Sequence, residues 1–423
     1  MSSAPTSRSD TTPPVEAESD RWLTRGVAGI GTASLLADVG HEIPTALLPS
    51  LLTSTLGAPA AALGLIEGVS DGLAGTARLV GGALADDPGR RRRVAVGGYT
   101  STAALAALTG TATSVWQVGV LRAGAWAARG VRVPARNALL ADVVAPAAYG
   151  RAYGFERMMD NLGAIFGPLL TLGLVAALGV RWAIGLSVIP GLLAAAAIVY
   201  AIRHAPKAEV RQHVPLRIRV RPVLRAGLGP LMGAVAAFEL GNVAATLLIL
   251  RATDLLRPGH GERTATSLAL ALYVLYNVAA TAASLPAGRL ADRLGEHGAV
   301  RVLTAGVALF AAAYVGFAVT GAHLAVLALP FVAAGTAIGC VETAQHTAVA
   351  SLAPSQIRGS AFGLLAAIQA AGNVAASAIA GALWSAVSAQ VAFLYLAAWM
   401  LLALAGLVFA RRWPGVSSRA DAH

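Results

Sequence analysis

From residue 25 to residue 411 the chain alternates between apolar stretches of about 20 residues and short polar breaks. A helix needs about that length to cross a bilayer. The pattern predicts an all-α membrane protein with about twelve spanning helices. Their expected limits are 25–53, 60–84, 94–113, 116–140, 151–176 and 181–202, then 227–251, 265–289, 300–320, 323–348, 358–385 and 389–411. The remaining segments read as a polar tail at 1–24, a basic linker at 203–226 and a second tail at 412–423. The first tail is rich in Ser, Thr, Pro and acids and lacks the apolar core of a signal peptide.

Composition agrees: 56% of residues are hydrophobic and only 13% charged, against about 25% in soluble domains. The net charge of +11 would suggest a nucleic-acid partner in a soluble chain. Here the basic residues gather in alternate breaks: Arg90–Arg93, the 203–225 segment, Arg289, Arg293, Arg301, Arg358, Arg411 and Arg412. The other breaks, near 54–59, 114, 321 and 386, carry no Lys or Arg, with Arg181 and the 251–263 stretch as exceptions. That asymmetry orients a polytopic chain in a plasma or inner membrane with both termini cytoplasmic, so no nucleic acid is expected. The 203–225 segment reads as a solvated linker beside anionic lipid. A single cysteine, Cys340, excludes an internal disulfide and a Cys-based metal cluster.

Against this apolar background, Leu36 to Arg78 is anomalous. Asp38, His41, Glu42, Glu67, Asp71 and Arg78 all fall inside two predicted spans. An ionisable side chain at that depth costs roughly 2.5–3.5 kcal/mol and normally faces a cavity or a partner. Asp38, His41 and Glu42 share one face of their helix, as Glu67 and Asp71 share one face of the next. A desolvated carboxylate there could bind and release protons near neutral pH, with the histidine extending the relay. Pro44 and Pro49 would bend the first helix beside this cluster. In the fourth helix Arg122, Arg129 and Arg136 recur every seven residues along one stripe, and Glu156 and Asp160 lie one turn apart in the fifth. Arg132, Arg136, Arg151, Glu156 and Arg157 read as an ion-pair network at the basic end. The second half is less charged. Glu239 is an isolated carboxylate at membrane depth, while Glu342, Gln345, His346, Gln369 and Asn373 read as packing polar groups.

Two motifs repeat. GGALADDPGRRRR (Gly81–Arg93) is echoed by PAGRLADRLGEHGAVR (Pro286–Arg301), and Asp86 and Asp292 stand 206 residues apart. AYGFERMMDNLGAIFGP (Ala152–Pro168) is echoed by AFGLLAAIQAAGNVAAS (Ala361–Ser377), with Gly154 and Gly163 matching Gly363 and Gly372 at an offset of 209. Two motifs at nearly one spacing indicate duplicated six-helix halves.

At these residues the chain resembles the major facilitator superfamily. Gly82, Asp86, Gly89 and Arg90 resemble its signature loop between helices 2 and 3, departing at Asp87, where the family usually has a basic residue. The copy at Gly288, Asp292 and Arg293 keeps that basic residue. The resemblance implies a loop that latches the cytoplasmic side during alternating access. Gly154, Gly163, Gly167 and Pro168 resemble the family's antiporter motif, which implies a hinge in helix 5 and export rather than uptake. Arg122 matches a buried basic residue that the family uses in proton transfer.

Together these readings predict a proton-coupled exporter of a small organic compound, a drug or a metabolite. Its expected proton and substrate residues are Asp38, His41, Glu42, Glu67, Asp71, Arg122, Arg129, Asp160 and Glu239. It would act as a monomer without cofactor or resident metal, through a mostly apolar cavity suited to lipophilic cations. Uptake uses the same parts in reverse. Metal-ion export through Asp38, His41, Glu42 and His346 is disfavoured by the scarcity of Met and Cys and the absence of a His-rich loop. No nucleophile motif or cofactor loop supports an enzyme.

Overall fold

In the computed structural model, residues 22–205 and 215–411 are described. The predicted tails at 1–24 and 412–423, and the middle of the linker, lie wholly or largely outside them. The first six helices are α1 (Arg25–Ser50), α2 (Ala60–Ala85), α3 (Pro88–Leu108), α4 (Val115–Asp142), α5 (Tyr149–Leu178) and α6, in two pieces (Val180–Leu186 and Val188–Arg203). The second six begin with α7, also in two pieces (Gly229–Gly241 and Ala245–His260), and α8 (Glu262–Arg293). They continue through α9 (Gly298–Val319), α10 (Leu324–Leu352), α11 (Arg358–Ala386) and α12 (Ala389–Arg411). Among the described residues, eight helical stretches, all from residue 146 onward, are long and apolar enough to cross a membrane. The four helices outside that set, α1–α4, are those that carry most of the buried charge.

Several boundaries differ from the sequence reading for local reasons. Helix α3 starts at Pro88, so the Arg90–Arg93 run lies in its first turns and not in a loop. Asp87 is the cause: its carboxylate accepts hydrogen bonds from the Gly89 and Arg90 N–H groups at 2.9 and 3.1 Å, ahead of a proline at the first helical position. Helix α7 runs on to His260, and Gly261 alone, at φ +72°, turns the chain into α8. Arg251 therefore sits inside a helix, where it donates to the carbonyls of Phe317 and Ala318 at the end of α9 (3.0 and 3.4 Å). Arg181 does the same for Gly110 and Ala112 past the end of α3 (3.0 and 2.6 Å). Arg181, and Arg251 of the 251–263 stretch, thus satisfy carbonyls that a helix end leaves open.

The break in α7 at Asn242–Ala244 frees backbone groups at membrane depth, and three of them find side-chain partners. Val243 N–H donates to the Tyr314 hydroxyl (3.2 Å), Ala244 N–H to Ser377 Oγ (3.0 Å), and the Asn242 carbonyl accepts from Asn373 (2.9 Å). Irregular backbone is tolerated in a bilayer only on such terms.

Glycines show where the two halves meet. Along α2, a Cβ added to Gly64, Gly68 or Gly72 would touch nothing within 4 Å, and one at Gly75 would only reach Ala370 at 3.9 Å. At Gly82 it would lie 2.7 Å from the Gly359 carbonyl of α11. The α5–α8 pair is equally tight, with Gly288 and Gly150 in backbone contact. The halves converge at the basic end and α2 stands clear of its neighbour at the other.

Candidate transport site

In the first half the predicted charges form two adjoining clusters. Asp38 on α1 accepts from Arg129 of α4 at 3.0 Å. Its Cβ lies against Gly163 of α5, where an added Cβ would come within 2.7 Å. Gly163 therefore seats this acid between α1 and α5. One turn along α1, His41 packs on Trp126 with ring centroids 4.4 Å apart. Trp126 in turn lies beneath both Arg122 and Arg129, at 4.6 and 5.3 Å. Arg122 reaches Glu67 of α2 (3.0 Å) and Thr45 of α1 (3.1 Å). The Thr45 hydroxyl also sits 3.5 Å from His41 Nε2. A chain of polar contacts thus runs from Glu67 through Arg122 and Thr45 to His41, with Asp38 and Arg129 across the indole. Trp126 was not anticipated, although its place between two arginines at helical spacing was legible. Glu42 packs on Gly167, where an added Cβ would lie 2.4 Å away; among the described residues neither it nor the exposed Asp71 forms an ion pair.

Nearer the basic end, Glu156 is held by Arg136 (2.9 Å), Arg157 (2.7 Å) and the Ser34 hydroxyl (2.7 Å). Asp160 joins the same pair of arginines at 3.6 and 3.1 Å, and Glu342 of α10 approaches Arg157 at 3.8 Å. Of the five residues expected in a basic-end network, Arg136, Glu156 and Arg157 form it. Arg132 instead lies over the Tyr99 ring at 4.1 Å, and Arg151 pairs with Asp292.

In the second half Glu239 is buried, 3% exposed, and receives hydrogen bonds from two amides, Asn242 (3.0 Å) and Gln345 (3.3 Å). Gln369 of α11 donates to Gln345 at 2.8 Å and completes a ladder across three helices. Gly372 seats Glu239 as Gly163 seats Asp38, with an added Cβ only 2.4 Å from the Glu239 Cβ. Since Gly163 and Gly372 are the same repeat position, Asp38 and Glu239 are counterparts.

Both acids face one cavity of about 320 Å3. Its wall includes five arginines (Arg78, Arg129, Arg132, Arg136 and Arg157) and five acids (Asp38, Asp71, Asp160, Glu239 and Glu342). The expectation of a mostly apolar cavity is therefore corrected: the charges on α1, α2, α4 and α5 converge inward because lipid surrounds the outside. Asp38, Asp71, Arg129, Asp160 and Glu239 line it, whereas His41, Arg122 and Glu67 form the contiguous cluster beside it. His346 lies elsewhere on the wall, stacked on Tyr153 and Phe362. Among the described residues no three His, Cys, Asp or Glu side chains converge to hold a metal ion.

The two signature loops act as one device used twice. Asp86, just past α2, accepts from the Ser360 N–H (2.8 Å) and hydroxyl (2.6 Å) at the start of α11. Asp292, at the end of α8, accepts from the Gly150 and Arg151 N–H groups (2.7 and 2.9 Å) and from the Arg151 side chain (3.0 Å) at the start of α5. Each carboxylate faces the positive end of a helix in the other half. Gly82 and Gly288 allow the close approach, Gly89 and Arg90 belong to the cap of α3, and Arg293 is exposed. Helix α5 passes Pro168 unbroken, and Gly154 packs on Ser284 of α8.

The chain is 27% identical to an uncharacterised MFS-type transporter of Methanocaldococcus jannaschii, over 89% of this chain and 93% of that one. It is 29% identical to an uncharacterised protein of Mycobacterium tuberculosis, over 93% and 94%. Its fold is similar to that of the human organic anion transporter MFSD10 (TM-score 0.69, 18% identity, 93% of this chain and all of that one). It is also similar to a bacterial homologue of the iron transporter ferroportin in an outward-facing state (TM-score 0.73, 17% identity, 92% and 100%). The profile of the Major Facilitator Superfamily matches residues 30–253 and 224–421, essentially the whole membrane region. With this profile match and the twelve-helix fold in agreement, the chain belongs to the Major Facilitator Superfamily of transporters.

Proposed function

We propose that the protein is a proton-coupled secondary transporter that exports a small organic compound by alternating access. The observation that carries this reading is the Asp38–Arg129 pair on the wall of the central cavity. A proton on Asp38 removes the charge that holds Arg129, so proton occupancy and this ion pair exclude one another. Arg129 and Arg132 of α4, Asp160 of α5 and Glu42 of α1 are the charged groups whose fields act on Asp38. Glu67 and Arg122 supply a polar path from the cavity towards the opposite end. The latched basic end and the separated outer part of α2 support an outward-open arrangement with the basic end and both termini in the cytoplasm.

Export is favoured over uptake by the glycine pattern of α5, whose Gly163 and Gly167 seat Asp38 and Glu42. A susceptibility panel in an efflux-deficient host tests direction. Wild type should lower accumulation of at least one compound, and Asp38→Asn should not. Higher accumulation with wild type would reverse the direction. In reconstituted vesicles that compound should evoke proton movement, and transport indifferent to collapse of the pH gradient would end the coupling claim.

A further inference from the structure

We propose that the cavity binds a small zwitterion of amino-acid or dipeptide size, with its carboxylate on Arg78 and its ammonium group on Glu239. The proposal rests on reading the cavity as the transport site. Most of its charges already cancel: Asp38 with Arg129, and Arg136 and Arg157 with Glu156 and Asp160, Glu342 standing next to Arg157. Asp71, on the Arg78 stripe, is exposed and acts on Arg78 through its field without forming an ion pair with it. Among the described residues Arg78, Arg132 and Glu239 are what remain, and Arg132 is taken up by the Tyr99 ring.

Among the described residues, Arg78 on α2 has no carboxylate within ion-pair distance. Its Nη1 donates to the Ala366 carbonyl of α11 at 2.9 Å, and its Nε is buried without a partner. Arg132, on the ring of Tyr99, is a second guanidinium without a carboxylate and adds positive potential to the same half. Glu239, on the second half, has only neutral amides around it. The charged groups whose fields reach it are Glu342 and Arg78, neither within ion-pair distance.

Uncompensated charges of opposite sign on two walls of one cavity call for a ligand that carries both counter-charges. A simple cation leaves Arg78 unmatched, and a simple anion leaves Glu239 unmatched. A zwitterion matches both and ties α2 to α7, one from each half, so binding favours the closed arrangement of the halves. The volume of about 320 Å3 sits at the low end of small-molecule sites and sets the size.

The test uses the full chain in lipid nanodiscs, without a pH gradient, so that failure of proton coupling leaves the result untouched. The probes are L-leucine, L-phenylalanine and dialanine, each compared with its N-acetyl derivative and its methyl ester. Binding is read by thermal stabilisation and equilibrium dialysis. At least one parent zwitterion should bind about tenfold or more tighter than both of its derivatives, the size of one lost charge-assisted contact. Arg78→Gln should erase the preference over the ester, and Glu239→Gln the preference over the N-acetyl form. Arg78→Lys and Glu239→Asp, which keep the charges, should retain both preferences in part and serve where the neutral variants do not fold. An N-acetyl form that binds as well as its parent would mean a neutral Glu239 and an anion site. An ester that binds as well would mean a cation site. Either result, or no binding by any of the three scaffolds, overturns the proposal.

Discussion

Asp38 and Glu239 pack on the same repeat glycine, Gly163 in one half and Gly372 in the other, and live in opposite surroundings. Each sits opposite a glycine of α5 or α11 that no larger residue could replace without displacing it. Asp38 has a guanidinium at 3.0 Å and further arginines on α4, while Glu239 has a ladder of amides backed by an aromatic core of Phe238, Phe310 and Tyr314. A carboxylate held by a cation can trade that partner for a proton. A carboxylate held only by neutral donors has no cation to release, and a positive ligand can supply the missing counter-charge. On the reading proposed above, one duplicated frame serves two tasks: exchange in the first half and recognition in the second.

The largest effect should separate the two acids. Asp38→Asn is expected to reduce proton-driven transport to the level of empty vesicles. Glu239→Gln should leave the response to pH in place while weakening substrate binding. Loss of the pH response in both variants would merge the two roles. Next come the seats. Gly163→Ala and Gly372→Ala should each destabilise the purified protein by about 1–3 kcal/mol through overpacking, read as a lower melting temperature in detergent. An unchanged melting temperature would show that the helices can part there at no cost.

The latches offer a smaller contrast. Asp292 accepts three hydrogen bonds, one of them from Arg151 at 3.0 Å, whereas Asp86 accepts two and meets its cation, Arg219, only at 3.9 Å. Asp292→Asn should therefore open the basic end more than Asp86→Asn, by about 1 kcal/mol, measured as cysteine accessibility beneath each latch. The smallest effect is expected at Thr45→Val, which removes one of the two side-chain hydrogen-bond partners of Arg122. It should slow transport about fivefold without altering expression, in line with about 1 kcal/mol for a single hydrogen bond.

Much of this frame was legible in the sequence, and the pairing within it was not. Asp38, Glu67 and Asp71 announce themselves because charge in an apolar helix is costly. Asp86 and Asp292 do so because each stands in a repeated loop beside a glycine. Which arginine meets which acid depends on how α1, α4 and α5 face one another. Four arginines on α4 at near-helical spacing leave several choices open. Arg132 took an aromatic ring where an ion-pair network was expected, and Asp160 joined that network. The break in α7 carries no proline signal; it is stabilised by Tyr314, Asn373 and Ser377, which lie far away in the chain. Asp87 departs from the family pattern and caps α3, a role visible from the Asp-Pro-Gly order alone.

The central claim is that protonation of Asp38 drives the exchange between arrangements. The most direct test places spin labels at Leu65→Cys and Val387→Cys, exposed positions at the outer ends of α2 and α11, in a Cys340→Ala background, and follows their separation from pH 5 to pH 9. The account predicts a pH-dependent shift between two distance populations that Asp38→Asn abolishes, fixing one population throughout. An identical pH response in Asp38→Asn would contradict it.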